Sequence, residues 1–301
     1  MQQATCVLPG GFWDANGVLH REAELTALTG REEELLADKT AGAAAGLVTV
    51  LLARCVRCIG TVRPVTEAVA RELLVGDRQY LLIKLRQLTF GDKVDATVRC
   101  PWPDCGEPVD IDFTISEVPI KEASVRTALH DAELSPGAAA TSGLGPDAVR
   151  ARFRLPNGGD QEVLAPLLAR NEAEALTQLL CRCIRSIGSD EHASPERVRN
   201  LSPAARLEIE RQMERAVPGA DLTLEAKCPQ CGRAFPVPFD AEDLLLGEVR
   251  HSQDLLHREI HYLAYHYHWS EREILEMTRD RRRRYIETLS DEMERLNSAS
   301  G

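Results

Sequence analysis

The sequence predicts an α+β protein: two homologous helical units, each ending in a zinc-knuckle β-hairpin, followed by a C-terminal helical hairpin. Three observations predict it. Residues 51–100 and 179–228 align without a gap, 128 positions apart. Each stretch leads into two closely spaced cysteines between segments of alternating polarity. Beyond Glu248 the pattern turns to polar helix with one apolar stripe.

The repeat is dense in matches. Leu51-Leu52-Ala53-Arg54-Cys55-Val56-Arg57-Cys58-Ile59-Gly60 aligns with Leu179-Leu180-Cys181-Arg182-Cys183-Ile184-Arg185-Ser186-Ile187-Gly188. Leu73 aligns with Leu201, Arg78 with Arg206, Gly91 with Gly219, and Cys100 with Cys228. Upstream, Leu8-Pro9-Gly10-Gly11 is matched to Leu155-Pro156-Asn157-Gly158 across a connection of different length. The period exceeds that of solenoid repeats, so two domains related by a pseudo-twofold axis are expected. The division is 1–134 for the first unit, 135–150 for a small-residue linker, 151–247 for the second unit and 248–301 for a C-terminal helix-turn-helix module.

Within each unit the elements follow from periodicity. The apolar stretch Ala41 to Ala53 is too short for a membrane span and reads as a buried helix. Leu51, Leu52, Cys55, Val56 and Ile59 continue it at helical spacing until Gly60 stops it. A second helix spans Asp77 to Leu88, with Tyr80, Leu81, Leu85 and Leu88 on one face. Val94 to Arg99 and Val109 to Phe113 alternate as strands on either side of the first cysteine pair. The matching return strand, Ala234 to Phe239, carries Pro236 and Pro238, which lack amide donors and so belong at a sheet edge.

Composition narrows the function. The formal net charge of −11, from 36 Lys+Arg against 47 Asp+Glu, argues against a phosphate backbone as partner. The opening residues lack the basic and apolar regions of a secretory signal, so a cytoplasmic protein with no membrane span is expected. Nine cysteines in such a chain point to metal or free thiols rather than disulfides.

The candidate ligands are Cys100 and Cys105, around Pro101-Trp102-Pro103-Asp104, and Cys228 and Cys231, around Pro229-Gln230. Thiolates this close at a turn chelate one ion, the following Gly106 and Gly232 permit positive φ, and Arg99 and Lys227 favour the thiolate. Such hairpins are similar to zinc-ribbon knuckles. One knuckle offers two ligands and structural Zn2+ takes four, so a single shared ion is expected, with all four cysteines meeting on the pseudo-twofold axis. A first knuckle that has drifted and lost its metal, a thioredoxin-like redox pair and inert thiols are the competing readings. Cys55, Cys58, Cys181 and Cys183 lie among leucines and read as core packing.

In the C-terminal module Leu255, Leu256, Ile260, Leu263 and Ala264 form a stripe, Tyr265-His266-Tyr267-His268-Trp269 a turn, and Ser270 with Glu273 a capping box. His257 and His261 lack the intervening acid of a His-Glu-x-x-His motif and read as solvated. The run Arg279 to Arg284 sits in a segment, 248–295, with 9 Arg and 11 Asp+Glu, and reads as a solvated or partner-facing helix face.

Two resemblances follow. Leu28-Thr29-Gly30-Arg31-Glu32-Glu33-Glu34-Leu35-Leu36, then Leu88-Thr89-Phe90-Gly91-Asp92 leading into the knuckle, resembles T-even-type baseplate hub and assembly proteins of tailed phages and extracellular contractile injection systems. Ala264 to Ser270, Glu273-Ile274-Leu275-Glu276-Met277 and Tyr285 are similar to tail-assembly chaperones encoded beside tape-measure genes. The resemblance implies a non-enzymatic, zinc-binding baseplate or tail-assembly protein, acting in the cytoplasm or in an assembled particle. Its partners would be baseplate hub or tape-measure-type tail proteins, met through His268, Trp269, Ile274, Met277 and Tyr285. The alternative is a zinc-ribbon nucleic-acid-binding adaptor. Neither a Gly-rich phosphate loop nor a Gly-x-Ser-x-Gly elbow is present to suggest an enzyme.

Overall fold

The computed structural model describes residues 3–37, 44–142, 150–188 and 190–299. Strands β1 (Gln3–Trp13) and β2 (Leu19–Thr26) lead to helices α1 (Gly30–Ala37) and α2 (Ala44–Cys55), strand β3 (Val56–Ile59), and helices α3 (Glu67–Glu72) and α4 (Val75–Phe90). The hairpin β4 (Lys93–Arg99) and β5 (Pro108–Thr114) follows, then the short strand β6 (Ile120–Lys121). The second half runs through β7 (His130–Glu133), α5 (Pro136–Thr141), β8 (Arg150–Phe153), α6 (Gly158–Leu168), α7 (Glu172–Cys183), β9 (Ile184–Ile187), α8 (Pro195–Arg199) and α9 (Pro203–Ala216). It continues with β10 (Gly219–Ala220), the hairpin β11 (Thr223–Lys227) and β12 (Ala234–Pro238), and helices α10 (Ala241–His251), α11 (Gln253–Tyr267), α12 (Glu271–Leu275) and α13 (Arg279–Ala299). The architecture is mixed α/β and ends in four consecutive helices, and among the described residues no helix is long and apolar enough to cross a membrane.

Each half holds a three-stranded antiparallel sheet, ordered β1-β2-β3 and β7-β8-β9. The registers repeat: Ala23 faces Ile59 and Leu25 faces Val56, while Ala151 faces Ile187 and Phe153 faces Ile184, with a register shift at the same place in both. These strands correct two expectations. Val56 to Ile59 does not prolong the helix; α2 ends at Cys55, and Val56 and Ile59 turn inward on a strand that pairs with β2. Branched residues that would crowd a helix fit a half-buried strand better. The counterpart of Asn157-Gly158 is Thr29-Gly30, at the start of α1, and not Gly10-Gly11. Gly10 and Gly11 lie on β1, where their amides donate to the buried Asp77 carboxylate at 2.8 and 2.9 Å.

The expected linker also differs. Residues 136–141 form α5, N-capped by Ser135, with Ala138 and Ala139 buried, and the part of the linker at 143–149 lies outside the described residues. Alanines without a large apolar neighbour give no visible period, yet they allow a helix to sit close. β7, assigned by sequence to the first unit, pairs with β8 of the second.

Leu8, Leu25, Leu52 and Leu81 centre the first core, which also takes in Leu245, Leu246 and Val249 of α10. Phe153, Leu180, Val198 and Ile209 centre the second. Cys55, Cys58 and Cys183 are buried in these helical and sheet layers, as expected of small apolar side chains, and Cys181 is half-buried.

The C-terminal helices dock on α1. The Gly30 amide donates to Met277 O at 3.2 Å, and Ser270 and Glu273 form the expected capping box. The arginine run is not wholly a solvated face. Arg282 is fully buried, its Nε donating to Glu259 at 2.8 Å, one Nη to Glu33 at 2.9 Å and the other to Met277 O at 2.9 Å. Glu259 and Glu33 are far from it in sequence, so no local pattern could pick Arg282 from its neighbours.

Candidate metal centre

Two hairpins build the site. β4 and β5 pair from Lys93–Thr114 to Arg99–Pro108, and β11 and β12 from Thr223–Pro238 to Lys227–Ala234. Alternate residues of each point at the other: Val109, Ala226, Phe235 and Val237 are buried between them with Cys100 and Cys228. Phe113 and Phe239 meet at the far end, ring centroids 5.2 Å apart.

At the tips the backbone folds each cysteine pair inward. Cys105 N–H donates to Trp102 O at 2.9 Å, and Gly232 N–H donates to Cys228 O at 2.9 Å. Gly106 at φ +67° and Gly232 at φ +71° close the turns in the left-handed region. The extra residues of the first knuckle are thus absorbed in its turn, and they place Trp102 and Asp104 outside the sulfurs.

The four Sγ atoms of Cys100, Cys105, Cys228 and Cys231 all lie within 4.8 Å of one another. The pairs that cross between hairpins, Cys100–Cys231 and Cys105–Cys228, are 3.8 and 3.7 Å apart. Tetrahedral Zn–S bonds of about 2.3 Å put sulfurs about 3.8 Å apart, so this spacing is that of a four-thiolate cage. It is far too long for a disulfide bond of about 2.05 Å. Cys100 and Cys228 are buried and the other two half-buried, so a metal held by all four would have no open coordination position for chemistry.

The electrostatics fit a cation. Hydrogen bonds from the Arg233 backbone and side chain bring the Cys231 thiol down to about 6. At Cys105 a hydrogen bond from the Glu107 backbone pulls downward, but desolvation and the neighbouring sulfurs win and push the thiol up to about 12. The Cys100 thiol is also raised, chiefly by desolvation. A cation held between the sulfurs would offset the repulsion between neighbouring thiolates.

Arg233 also locks the tips: it contacts both Asp104 carboxylate oxygens at 2.6 Å and stacks over Trp102 at 4.8 Å. Sequence reasoning passed over Arg233, although an arginine just past the second knuckle and an aspartate inside the first carry opposite charge to the same place.

The C-terminal candidates divide. Ile274 and Met277 are buried within the chain itself. Trp269 and Tyr285 are half-buried and cluster with Tyr267, the Trp269 ring lying 4.6 Å from Tyr267 and 4.8 Å from Tyr285. His268 is exposed and ends α11 in the left-handed conformation, φ +57°.

Sequence comparison adds a family. A family described as T4 bacteriophage base plate protein matches residues 16–245, a span that includes both knuckles. A family of unknown function (DUF6760) matches residues 248–301. No curated protein and no solved structure matches the chain.

Proposed function

Because the chain belongs to the T4 bacteriophage base plate protein family, we propose that it is a non-enzymatic, zinc-stapled baseplate or tail-assembly protein of a phage-like contractile injection apparatus. The family match over residues 16–245 carries this reading. The two halves are homologous units, which the shared sheet registers support, as does a second parallel: Arg78 donates to Thr49 and Arg206 to Thr177, each at 3.0 Å.

Cys100, Cys105, Cys228 and Cys231 hold one structural Zn2+, and the metal joins the two units through their hairpin tips. The surface offered to baseplate hub or tape-measure-type proteins is the aromatic turn at His268, Trp269 and Tyr285, while Ile274 and Met277 are buried within the chain.

Two measurements test this. Elemental analysis of the purified protein should give one zinc per chain, lost in Cys100→Ser and in Cys228→Ser; two zincs, or none, remove the shared site. In the producing cell, deletion of the gene should abolish contractile particles, and particles of normal number and length without it would end the baseplate reading. Cryo-electron microscopy of the particles then separates a resident subunit from an assembly chaperone.

A further inference from the structure

We propose that the four-cysteine cluster is an oxidation site, at which a peroxide turns the sulfurs into two disulfides that bridge the hairpins, Cys100 to Cys231 and Cys105 to Cys228. The joint between the hairpins then becomes covalent instead of opening. The sulfur positions carry this, whether or not an ion sits among them. Four cysteines can pair inside the knuckles, or across them in either of two ways.

The packing singles out one of these pairings. Cys100 and Cys228 belong to the apolar layer between the hairpins, with Val109, Ala226, Phe235 and Val237, so each is turned toward the opposite hairpin. There Cys100 meets Cys231 at 3.8 Å and Cys228 meets Cys105 at 3.7 Å, both in thiol contact. Each of these pairs joins a buried sulfur to a half-buried one. The other crossing arrangement would set the two buried sulfurs against each other. A disulfide inside one knuckle would draw Cys100 or Cys228 out of the layer it helps to fill.

Contacts that need no metal hold the tips face to face. Arg233, two residues past Cys231, bonds both carboxylate oxygens of Asp104, the neighbour of Cys105, at 2.6 Å. The same guanidinium lies over Trp102. At the far end Phe113 stacks on Phe239. A disulfide is about 2.05 Å long, so each sulfur of a crossing pair has about 0.9 Å to travel, a distance that a small side-chain rotation covers.

The two sulfurs of each pair divide the chemistry. Cys105 and Cys231 are half-buried and within reach of a small peroxide, while Cys100 and Cys228 are buried. The peroxide gives one oxygen to the reachable thiolate, forming a sulfenic acid and releasing hydroxide. The buried thiolate opposite attacks that sulfur, the S–S bond forms, and a second hydroxide leaves. Each pair thus gives two electrons to one peroxide. Two peroxides consume all four thiolates, and an ion held by them leaves as Zn2+ for want of ligands. The new bonds span 131 and 123 positions of the chain, long closures that restrict the unfolded state. In an oxidising medium, where a zinc–thiolate joint is lost, the two hairpins therefore stay tied.

The test treats the purified full chain with hydrogen peroxide and digests it with trypsin in the absence of reductant. Cleavage after Arg99, Lys121, Lys227 and Arg233 leaves each knuckle on its own peptide, 100–121 and 228–233. The two peptides should emerge joined, in step with any release of zinc to a chromophoric chelator. Paired substitutions assign the bonds. The chain with Cys105→Ser and Cys228→Ser should still join the peptides, and so should the chain with Cys100→Ser and Cys231→Ser. The chain with Cys105→Ser and Cys231→Ser keeps only the two buried sulfurs and should join them about tenfold more slowly, or not at all. Peptides found apart, each with its own disulfide, overturn the proposal. So does an equal rate in all three variants, or oxidation to sulfinic acid with no disulfide formed. The mapping of the unaltered chain decides the matter even where a variant fails to fold. A chain purified without zinc that still joins its peptides would remove the shared ion and leave the crossing bonds.

Discussion

Arg282→Met should detach the C-terminal helices from α1. The arginine is fully buried and satisfies two buried carboxylates, Glu33 and Glu259, plus the Met277 carbonyl. Removing one partner from a buried ionic group leaves uncompensated charge and costs about 3–5 kcal/mol. The loss falls on α11 and α13, so amide hydrogen exchange there should quicken by roughly two to four powers of ten, at about 1.36 kcal/mol per power. The triple variant Arg282→Met, Glu33→Gln, Glu259→Gln removes the stranded charges and should recover most of the protection. The pH dependence has a definite sign. Burial raises the Glu33 carboxyl although Arg282 pulls it down, so without the arginine it rises further. A raised folded-state value favours folding at low pH, so the defect should shrink as pH falls toward the ordinary glutamate value and grow above it. Exchange in α11 and α13 unchanged by Arg282→Met, or a triple variant no better than the single one, would refute the reasoning.

Other outcomes follow from particular contacts. Burial raises the Asp77 carboxyl to about 6, so its contribution to stability is fully present below about pH 4 and lost as pH climbs through 6; urea melts of Asp77→Asn should lose that slope. A Cβ on Gly76 would lie 1.8 Å from Pro218 O, so Gly76→Ala should destabilise by about 1–3 kcal/mol or more, while Gly137→Ala, with open space around it, should be neutral or slightly stabilising in the same melts. Arg233→Ala removes the bridge to Asp104 and the stack on Trp102, and competition with a chromophoric chelator should show zinc held about 10–100-fold more weakly.

What the sequence disclosed was whatever repeated or alternated. The constant offset located the two repeated stretches that lead into the two knuckles, because matching units keep their spacing. Alternation located β4, β5 and β12, because one face of each hairpin is covered by the other hairpin. What stayed hidden was short or non-local. Val56 to Ile59 carries an apolar pattern that serves helix and strand equally, and only pairing with β2 decides between them. The six residues of α5 are too few and too small to show a period. Arg282 looks like its solvated neighbours until Glu33 and Glu259 are brought to it. Ile274 and Met277 were legible as an apolar face, but an apolar face does not say whether the chain itself or a partner covers it.

Two of the contacts that join the halves differ in symmetry. Exchanging Cys100 with Cys228 and Cys105 with Cys231 turns one crossing sulfur pair into the other, so the hairpins meet as a local twofold pair, which is self-complementary and closed. The corner contact has no such reciprocity: Leu73 to Val75 holds residues 156–158, while Ser202 of the α8–α9 turn bonds Ser142 of α5 instead of the start of α1. That contact is head-to-tail. The two joints should therefore fail separately. Chelation of the metal should speed amide exchange in β4, β5, β11 and β12, since two-stranded hairpins are marginal alone, and leave the Gly158 amide protected on Leu73 O. Equal loss of protection at Gly158 would mean that the metal holds the whole molecule together and that the corner is no joint of its own.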